Sequence, residues 1–583
     1  MNRYYLYCKK ADFKKISETF HISPMLSRII RNRDIVSEEE IEEYLNGGTD
    51  RLSDPFLMKG MEETVPLLLH TINCGDPIRI IGDYDTDGVC SSYILKKFLT
   101  SIGAKADIRL PNRMMEGYGM NPDMVSEAHA DGIKLILTCD NGVSSFEAAE
   151  LARSLGIRLV VSDHHEVPEP LVSADCVIDP KQPGCPYPYK ELCGAGVAYK
   201  IVTALDLELS RRGEGSHNER ETLLKELLQF AGIATIADVV PLTKENRILA
   251  KCGIEELRKT ENTGLLALIQ ERGIEKESLS SFHIGFILAP CINSAGRLED
   301  AEIVLNLLEQ NDRIEAERLA AHLSALNEER KDMTMIQTRI AREIVDRKTA
   351  ENGFLPKILV VFLPEAHESI AGIIAGRLKE EYERPALVLT NGTEGMKGSG
   401  RSVNAYHMIS ELRKHEHLFS RLGGHAKAAG FSVADGVTPE MISKELNEGC
   451  SLTEEMLMEK KWIDMQLPFS YVTEEFVSEL SLLEPFGLGN ERPVFAEKNI
   501  GVEYIQIFGK VNHVLKLLLK APDGFRIEAI KYGQLDQLEE EARSLREGLN
   551  NKGDDFRISF TYFPNINEFR GIRTVQLRIL EFL

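Results

Sequence analysis

IRIIGDYDTDG, residues 78–88, is the stretch on which the reading of this chain turns. An apolar, β-rich run ends at Gly82, and Asp83, Asp85 and Asp87 follow at once. The arrangement recurs twice downstream. LILTC (135–139) runs into Asp140-Asn141-Gly142, and LVVS (159–162) runs into Asp163-His164-His165. Each acid stands at the carboxyl end of a predicted buried strand, the edge at which open α/β sheets bind ligands. Three separate segments are therefore expected to converge on one crevice.

Working outward, the runs ADIRL (106–110) and CVIDP (176–180) read as further strands. SSYILKKFLTSIG and SSFEAAELARSLG, between the strands, space their apolar residues as helices do. That alternation predicts βαβ units and a parallel sheet. SEEEIEEYL (37–45) carries a capping-box spacing inside a short helical preface. Residues 313–347 hold no Pro or Gly and read as one long helix. A second α/β pattern begins at KILVVFLP (357–364), and turn-separated strands from about 497 onward read as a small β-barrel.

The expected organisation is a helical preface (1–55), a parallel-sheet domain with a helical extension (56–300), a connecting helix (301–350), a smaller α/β domain (351–450) and a linker with the barrel (451–583).

Clustered carboxylates repel one another and are costly to desolvate, so they need cations. Oxygen ligands with imidazole suit Mn²⁺ or Mg²⁺. Asp238, inside the apolar run GIATIADVVPL, is a further ligand candidate. Two such ions can clamp a phosphodiester and activate water. Taken singly, Asp163 reads as a turn or a helix N-cap, Asp238 as a helix cap and Asp140-Asn141-Gly142 as a turn. Taken in order on successive strands, they read as a metal site.

The net charge of −22 argues against non-specific duplex binding while leaving room for a local basic groove. The ten cysteines form no C-x-x-C pair and read as reduced thiols. No apolar run approaches the ~20 residues of a membrane span, and the first residues carry no signal-peptide pattern. The expectation is a cytoplasmic protein.

GDYDTDG, TCDNG, SDHH and GIATIADVVPL resemble the successive motifs of the DHH phosphoesterases. The resemblance implies two divalent ions held by Asp83, Asp85, Asp87, Asp140, His164 and Asp238. His165 would face the scissile phosphate, and Asp163 would support the histidines. Within that superfamily, nearly the whole chain is similar to the RecJ family. In LPNRMMEGYGMN (110–121), Arg113 would bind phosphate and Tyr118 stack or position. In APCINSAGRLEDA (289–301), Arg297 would bind phosphate, with Cys291 standing where the family usually has Arg. GSGRS (398–402) and GGHAKAAGFSV (423–433) resemble the DHHA1 substrate-binding domain and offer Ser399, Gly400, Arg401, Gly423, Gly424 and His425. Ala366 stands in place of Trp and Ser369 in place of Gly. The tail resembles the family's OB fold, with Phe508, Lys510, His513, Lys516, Arg570 and Arg573 as strand contacts.

This resemblance implies a monomeric 5′→3′ exonuclease on single-stranded DNA that releases 5′-mononucleotides in repair and recombination. A helicase and a single-strand-binding protein are the implied partners. The alternatives are a relative acting on short oligoribonucleotides or cyclic dinucleotides, a non-catalytic replication or repair scaffold, and a simple strand-binding protein.

Overall fold

The computed structural model describes residues 3–392, 395–509, 513–569 and 571–583. The chain forms two compact units. One comprises Ser53–Val240 with Cys252–Glu459, and the other Asn2–Leu52 with Pro241–Lys251 and Lys460–Leu583.

The first unit opens with an all-parallel sheet. Its strand order is Lys105–Arg109, Pro77–Ile81, Leu135–Thr138, Arg158–Ser162, Cys176–Ile178. Leu135–Thr138 is buried at every position, as expected where helices cover both faces of a parallel sheet. The strands after Pro77–Ile81 lie on either side of it, so the loops at Asp83 and Asp140 diverge from a topological switch point and leave a crevice.

The long helix is Arg313–Asn352, about 60 Å at 1.5 Å per residue. Asp312 caps its start by accepting from Ile314 and Glu315, and Gly353 ends it in the left-handed region at φ 75°. It begins where the Pro- and Gly-free run begins, and Glu302–Leu308, earlier in the 301–350 segment, is a separate helix. Beyond it stands a five-stranded sheet ordered Phe419–Gly424, Ala428–Val433, Gly395–Arg401, Ala386–Gly392, Leu359–Phe362. Only its last pair is parallel.

The second unit is a closed barrel. Strands Phe495–Phe508, Val514–Lys520 and Arg526–Tyr532 form a meander. Ile572–Phe582 pairs in parallel with Arg526–Tyr532 and antiparallel with Arg557–Phe569, which pairs back to Phe495–Phe508 and closes the ring. The helix Leu535–Lys552 lies between its third and fourth strands in chain order and buries Leu538, Ala542 and Leu545. The sequence reading saw only strands in this region. The residues expected as an N-terminal preface fold into this unit. Leu26, Ile29, Ile30, Ile41 and Leu45 share one apolar core with Phe469, Leu515, Leu517, Phe560 and Tyr562. Strand Arg3–Leu6 pairs in parallel with Lys460–Ile463.

Candidate metal centre

Asp83 leaves the strand Pro77–Ile81 through Gly82. The next turn folds back so tightly that a Cβ on Gly88 would meet the Asp83 backbone at 2.4 Å. Asp85 caps the helix Thr86–Ser101, accepting from the N–H groups of Asp87 at 2.9 Å and Gly88 at 3.1 Å. Asp87 accepts from the N–H groups of Gly194 and Ala195, both at 2.7 Å, at the start of the helix Gly194–Arg212. Asp140 sits at φ 62°, a conformation Asp tolerates better than most residues. Asp238 caps the carboxyl end of the helix His217–Ala237.

These residues converge. Ligand atoms of Asp83, Asp85 and Asp140 lie within 4.8 Å of one another, and so do those of Asp87, His164 and Asp238. His164 links the two groups: its Nε2 is 3.0 Å from Asp140, 3.7 Å from Asp87 and 3.9 Å from Asp238. Among the described residues this buried nitrogen makes no hydrogen bond. The ring bonds instead to the backbone of Leu192, as ligating imidazoles commonly do through their other nitrogen.

The electrostatics suit a cation. Burial pushes Asp83 well above the usual carboxylate range, and the charge of Asp85 adds to it. Burial raises Asp140 and Asp238 in the same way, and Asp87 and Asp85 raise both further. Asp87 is pushed up to about 6 by burial and then by Asp85. Burial, followed by the charge of His165, drives His164 down to about 3, leaving a neutral imidazole with a lone pair. An oxygen-rich donor set with one imidazole and no thiolate fits Mn²⁺ or Mg²⁺.

Asp163 and His165 form a dyad beside the cluster. Asp163 is buried and accepts from the N–H groups of Val143 and His164 and from His165 Nδ1 at 2.7 Å. Burial opposes its charge, but the hydrogen bond from His165 and the two imidazoles hold it below its ordinary range. Burial likewise opposes charge on His165, yet Asp163 outweighs it and raises His165 to about 9. Tyr118 donates its hydroxyl to the Asp140 carbonyl at 2.7 Å, lies 3.2 Å from His165 Nδ1 and sets its ring edge-on to His165.

A cluster of guanidinium groups stands on the other side. Arg113 lies over the Tyr84 ring at 4.9 Å. Arg297 donates to the Ser369 carbonyl at 2.7 Å. Burial, then the charges of Arg113 and Arg330, bring Arg297 down to about 9. Arg401 donates to Ser399 Oγ and the Gly400 carbonyl, and is lowered by burial and by Arg113. Half-buried like charges that lower one another are what an anion would relieve. Gly400 packs on Met408, and a Cβ on Gly424, at φ 141°, would meet the Ala428 carbonyl at 2.3 Å. Gly423 stands in open space. His425 is lowered by burial and then by the charges of Arg401 and His165. The residues expected from separate motifs thus come together on the two sides of one site.

Residues 77–235 match the family described as "DHH family, N-terminal domain", 355–451 match "DHHA1 domain", and 463–581 match "RecJ OB domain". The "Single-stranded-DNA-specific exonuclease RecJ" of Bacillus subtilis is 33% identical over 97% of this chain and 69% of its own length. Its namesake in Escherichia coli is 31% identical over 96% of this chain and 95% of its own length. The chain belongs to the RecJ family. Among solved structures, RecJ from Thermus thermophilus in complex with Mn²⁺ shares the fold, with a TM-score of 0.81 at 24% identity over 100% of this chain and 79% of that one. A crystal structure of exonuclease RecJ bound to manganese is 30% identical over 69% of this chain and 97% of that one, with a TM-score of 0.58.

Three departures from the RecJ pattern find places in the structure. Cys291 is buried, and Asn327 donates to its sulfur. Arg330, one turn further along the long helix, supplies a guanidinium whose charge reaches both Arg297 and Cys291. Sequence reasoning missed Arg330 because a basic residue in a charged helix carries no local mark. It also missed Lys181, whose charge reaches His164, Asp238 and His425. Ala366 is buried in an apolar cluster with Leu363 and Ile370, so this position serves packing. Ser369 bonds His367 through its hydroxyl and accepts from Arg297 through its carbonyl.

In the barrel, Phe508 is exposed and His513 is half-buried. Lys516 pairs with Glu528 at 2.6 Å and Arg573 with Glu474 at 2.9 Å, so both charges are partly neutralised within the unit. Lys510 and Arg570 lie outside the described residues.

Proposed function

We propose that this RecJ-family chain is a metal-dependent 5′→3′ exonuclease that hydrolyses single-stranded DNA to 5′-mononucleotides. One observation carries the reading: a carboxylate–imidazole cluster built for cations lies beside a half-buried guanidinium cluster suited to a terminal phosphate. Two divalent ions, Mn²⁺ or Mg²⁺, fit the donor set. Asp83, Asp85 and Asp140 would hold one, and Asp87, His164 and Asp238 the other, with Asp140 near both. Ions held there would supply Lewis-acid polarisation of a phosphate and water of lowered pKa.

The chain's own residues do the rest. Arg113, Arg297 and Arg401, with Ser399, would grip the 5′-phosphate and set the polarity. Asp163 holds His165 as an imidazolium by accepting from Nδ1, leaving Nε2–H to donate to the scissile phosphate as charge develops there. Tyr118 keeps the His165 ring and the Asp140 backbone in register. His425 and the turn at Gly423–Gly424 would close on the same phosphate group. Phe508 and His513 of the barrel would contact the strand.

We also propose the domain boundaries given above for the DHH and DHHA1 regions, a monomer working in the cytoplasm, and a helicase and a single-strand-binding protein as partners. No described helix is long and apolar enough to cross a membrane.

The test compares mononucleotide release from long single-stranded DNA, long RNA and a cyclic dinucleotide in Mn²⁺ and in Mg²⁺. Release from the 5′ end of DNA supports the reading. Preferential cleavage of the RNA or of the cyclic dinucleotide overturns it.

A further inference from the structure

Residues 281–298 form one continuous helical rod made of Ser281–His283, a π-helical turn Ile284–Leu288, and Ala289–Leu298. The rod runs alongside the metal centre. Near its far end, a Cβ on Gly296 would meet the Tyr84 carbonyl at 2.4 Å, and Arg297 joins the guanidinium cluster. At its middle, Asn293 accepts from the backbone and hydroxyl of Thr86, next to Asp85. At its near end, Gly285 rests on Ile236, two residues before Asp238. There Phe282 and Phe286 stack on each other, with centroids 5.1 Å apart at 26°. Both residues are exposed, at 52% and 71%.

Two stacked phenyl rings in water are unusual for a side-chain pair with only a packing role, since burial is what makes large aromatics favourable. π-Turns inside helices occur often at functional sites. Here the turn places the rings four residues apart on one face and leaves that face to solvent.

We propose that Phe282 and Phe286 form a platform on which a base of the single strand stacks, just 3′ of the bond that is cut. The order along the rod supports this occupant: guanidinium cluster, metal centre, aromatic pair. Phe286 and Arg297 are about 16 Å apart along the rod at ~1.5 Å per residue, a span of a few nucleotides. Every base has a π-face, so a platform of this kind holds a strand without reading its sequence. It would keep the strand in line as each terminal nucleotide is removed.

The inference rests on the single-strand nuclease reading above, and the experiment separates the two. The full chain is assayed with 5′-phosphorylated oligonucleotides carrying one abasic site, moved stepwise from the 5′ end. The wild-type protein should lose roughly tenfold in affinity when the abasic site falls opposite the platform. Phe282→Ala/Phe286→Ala should bind the intact strand roughly tenfold more weakly and show no further loss at that position. The loss should appear in KM, equally at low and high salt, because stacking releases no counterions. Hydrolysis of bis(p-nitrophenyl) phosphate, which carries no base to stack on the rings, should be unchanged, which shows that the variant is folded. Phe286→Trp should restore binding. Wild-type affinity in the double alanine variant, or a wild-type protein indifferent to the abasic site at every position, overturns the platform alone. A wild-type protein that does not bind single-stranded DNA overturns both readings.

Discussion

Gly194 and Asp140 face each other with no room for a methyl group: a Cβ on Gly194 would lie 2.6 Å from Asp140 Cβ and 3.0 Å from its Cα. The N–H of Gly194 bonds Asp87 at 2.7 Å. One helix start therefore sets two carboxylates at once. Gly194→Ala must push Asp140 aside, so metal affinity should fall roughly 10–100-fold, as when a ligand's support is removed. Mn²⁺ titration by calorimetry, with circular dichroism as the folding control, measures it. Unchanged affinity would mean that Asp140 has slack.

Asp140→Asn should abolish hydrolysis, by at least ~10³-fold, because it removes a charged ligand placed near both ion sites. The same change relieves repulsion from Asp87, Asp85, Asp238 and Asp83. The metal-free variant should therefore melt at the wild-type temperature or above, and gain less from Mn²⁺. A strongly destabilised metal-free variant would contradict the electrostatic account.

Metal-free protein should lose stability as pH rises, in two windows. Asp87 is raised from 3.8 to about 6. Its protonated form is favoured by folding, so that contribution is complete below pH ~4 and gone above ~6. His165 is raised from 6.5 to about 9, so its contribution is complete below pH 6.5 and lost through pH ~9. Metal competes with protons for the cluster, so the melting-temperature gain from Mn²⁺ should be larger at about pH 7.5 than at about pH 5. A gain that shrinks with rising pH would count against carboxylate ligation.

Arg401→Ala should weaken cleavage of 5′-phosphorylated strands roughly 10–100-fold more than of 5′-hydroxyl strands, the worth of a hydrogen bond to a charged group. Arg330→Ala should act in the same direction but more weakly, since Arg330 reaches the phosphate cluster through Arg297. Comparing kcat/KM on the two substrates gives the answer. Equal losses on both would assign Arg401 to an internal phosphate or to structure.

Residues 2–52 share the barrel's core, so a C-terminal truncation near 450 would strip Leu26, Ile29 and Ile41 of their apolar partners. The informative truncation is 53–459, which keeps the metal cluster, the guanidinium cluster and the 423–433 hairpin. It should still cleave short strands and lose affinity for long ones, most visibly at high salt. Full-length behaviour on every length would remove the barrel as a strand platform.

The parallel sheet, the long helix and the barrel strands were legible because they are local patterns. Apolar runs ending in Asp83, Asp140 and Asp163 mark strand ends, and strand ends lie at one edge of a parallel sheet. That alone determined which residue types would meet. The helix Leu535–Lys552 was missed: Leu535, Leu538, Ala542 and Leu545 recur at helical spacing, but the strand-rich surroundings masked it. Other relationships exist only after packing. Asp140 lies near both ligand groups, Gly194 bears on Asp140, the charge of Arg330 reaches Arg297 and Cys291, and the preface belongs to the barrel. Each joins segments tens to hundreds of residues apart, and periodicity along the chain carries no information about such distances. What decides them is which helix and sheet faces exclude water together, and that is settled by the tertiary fold.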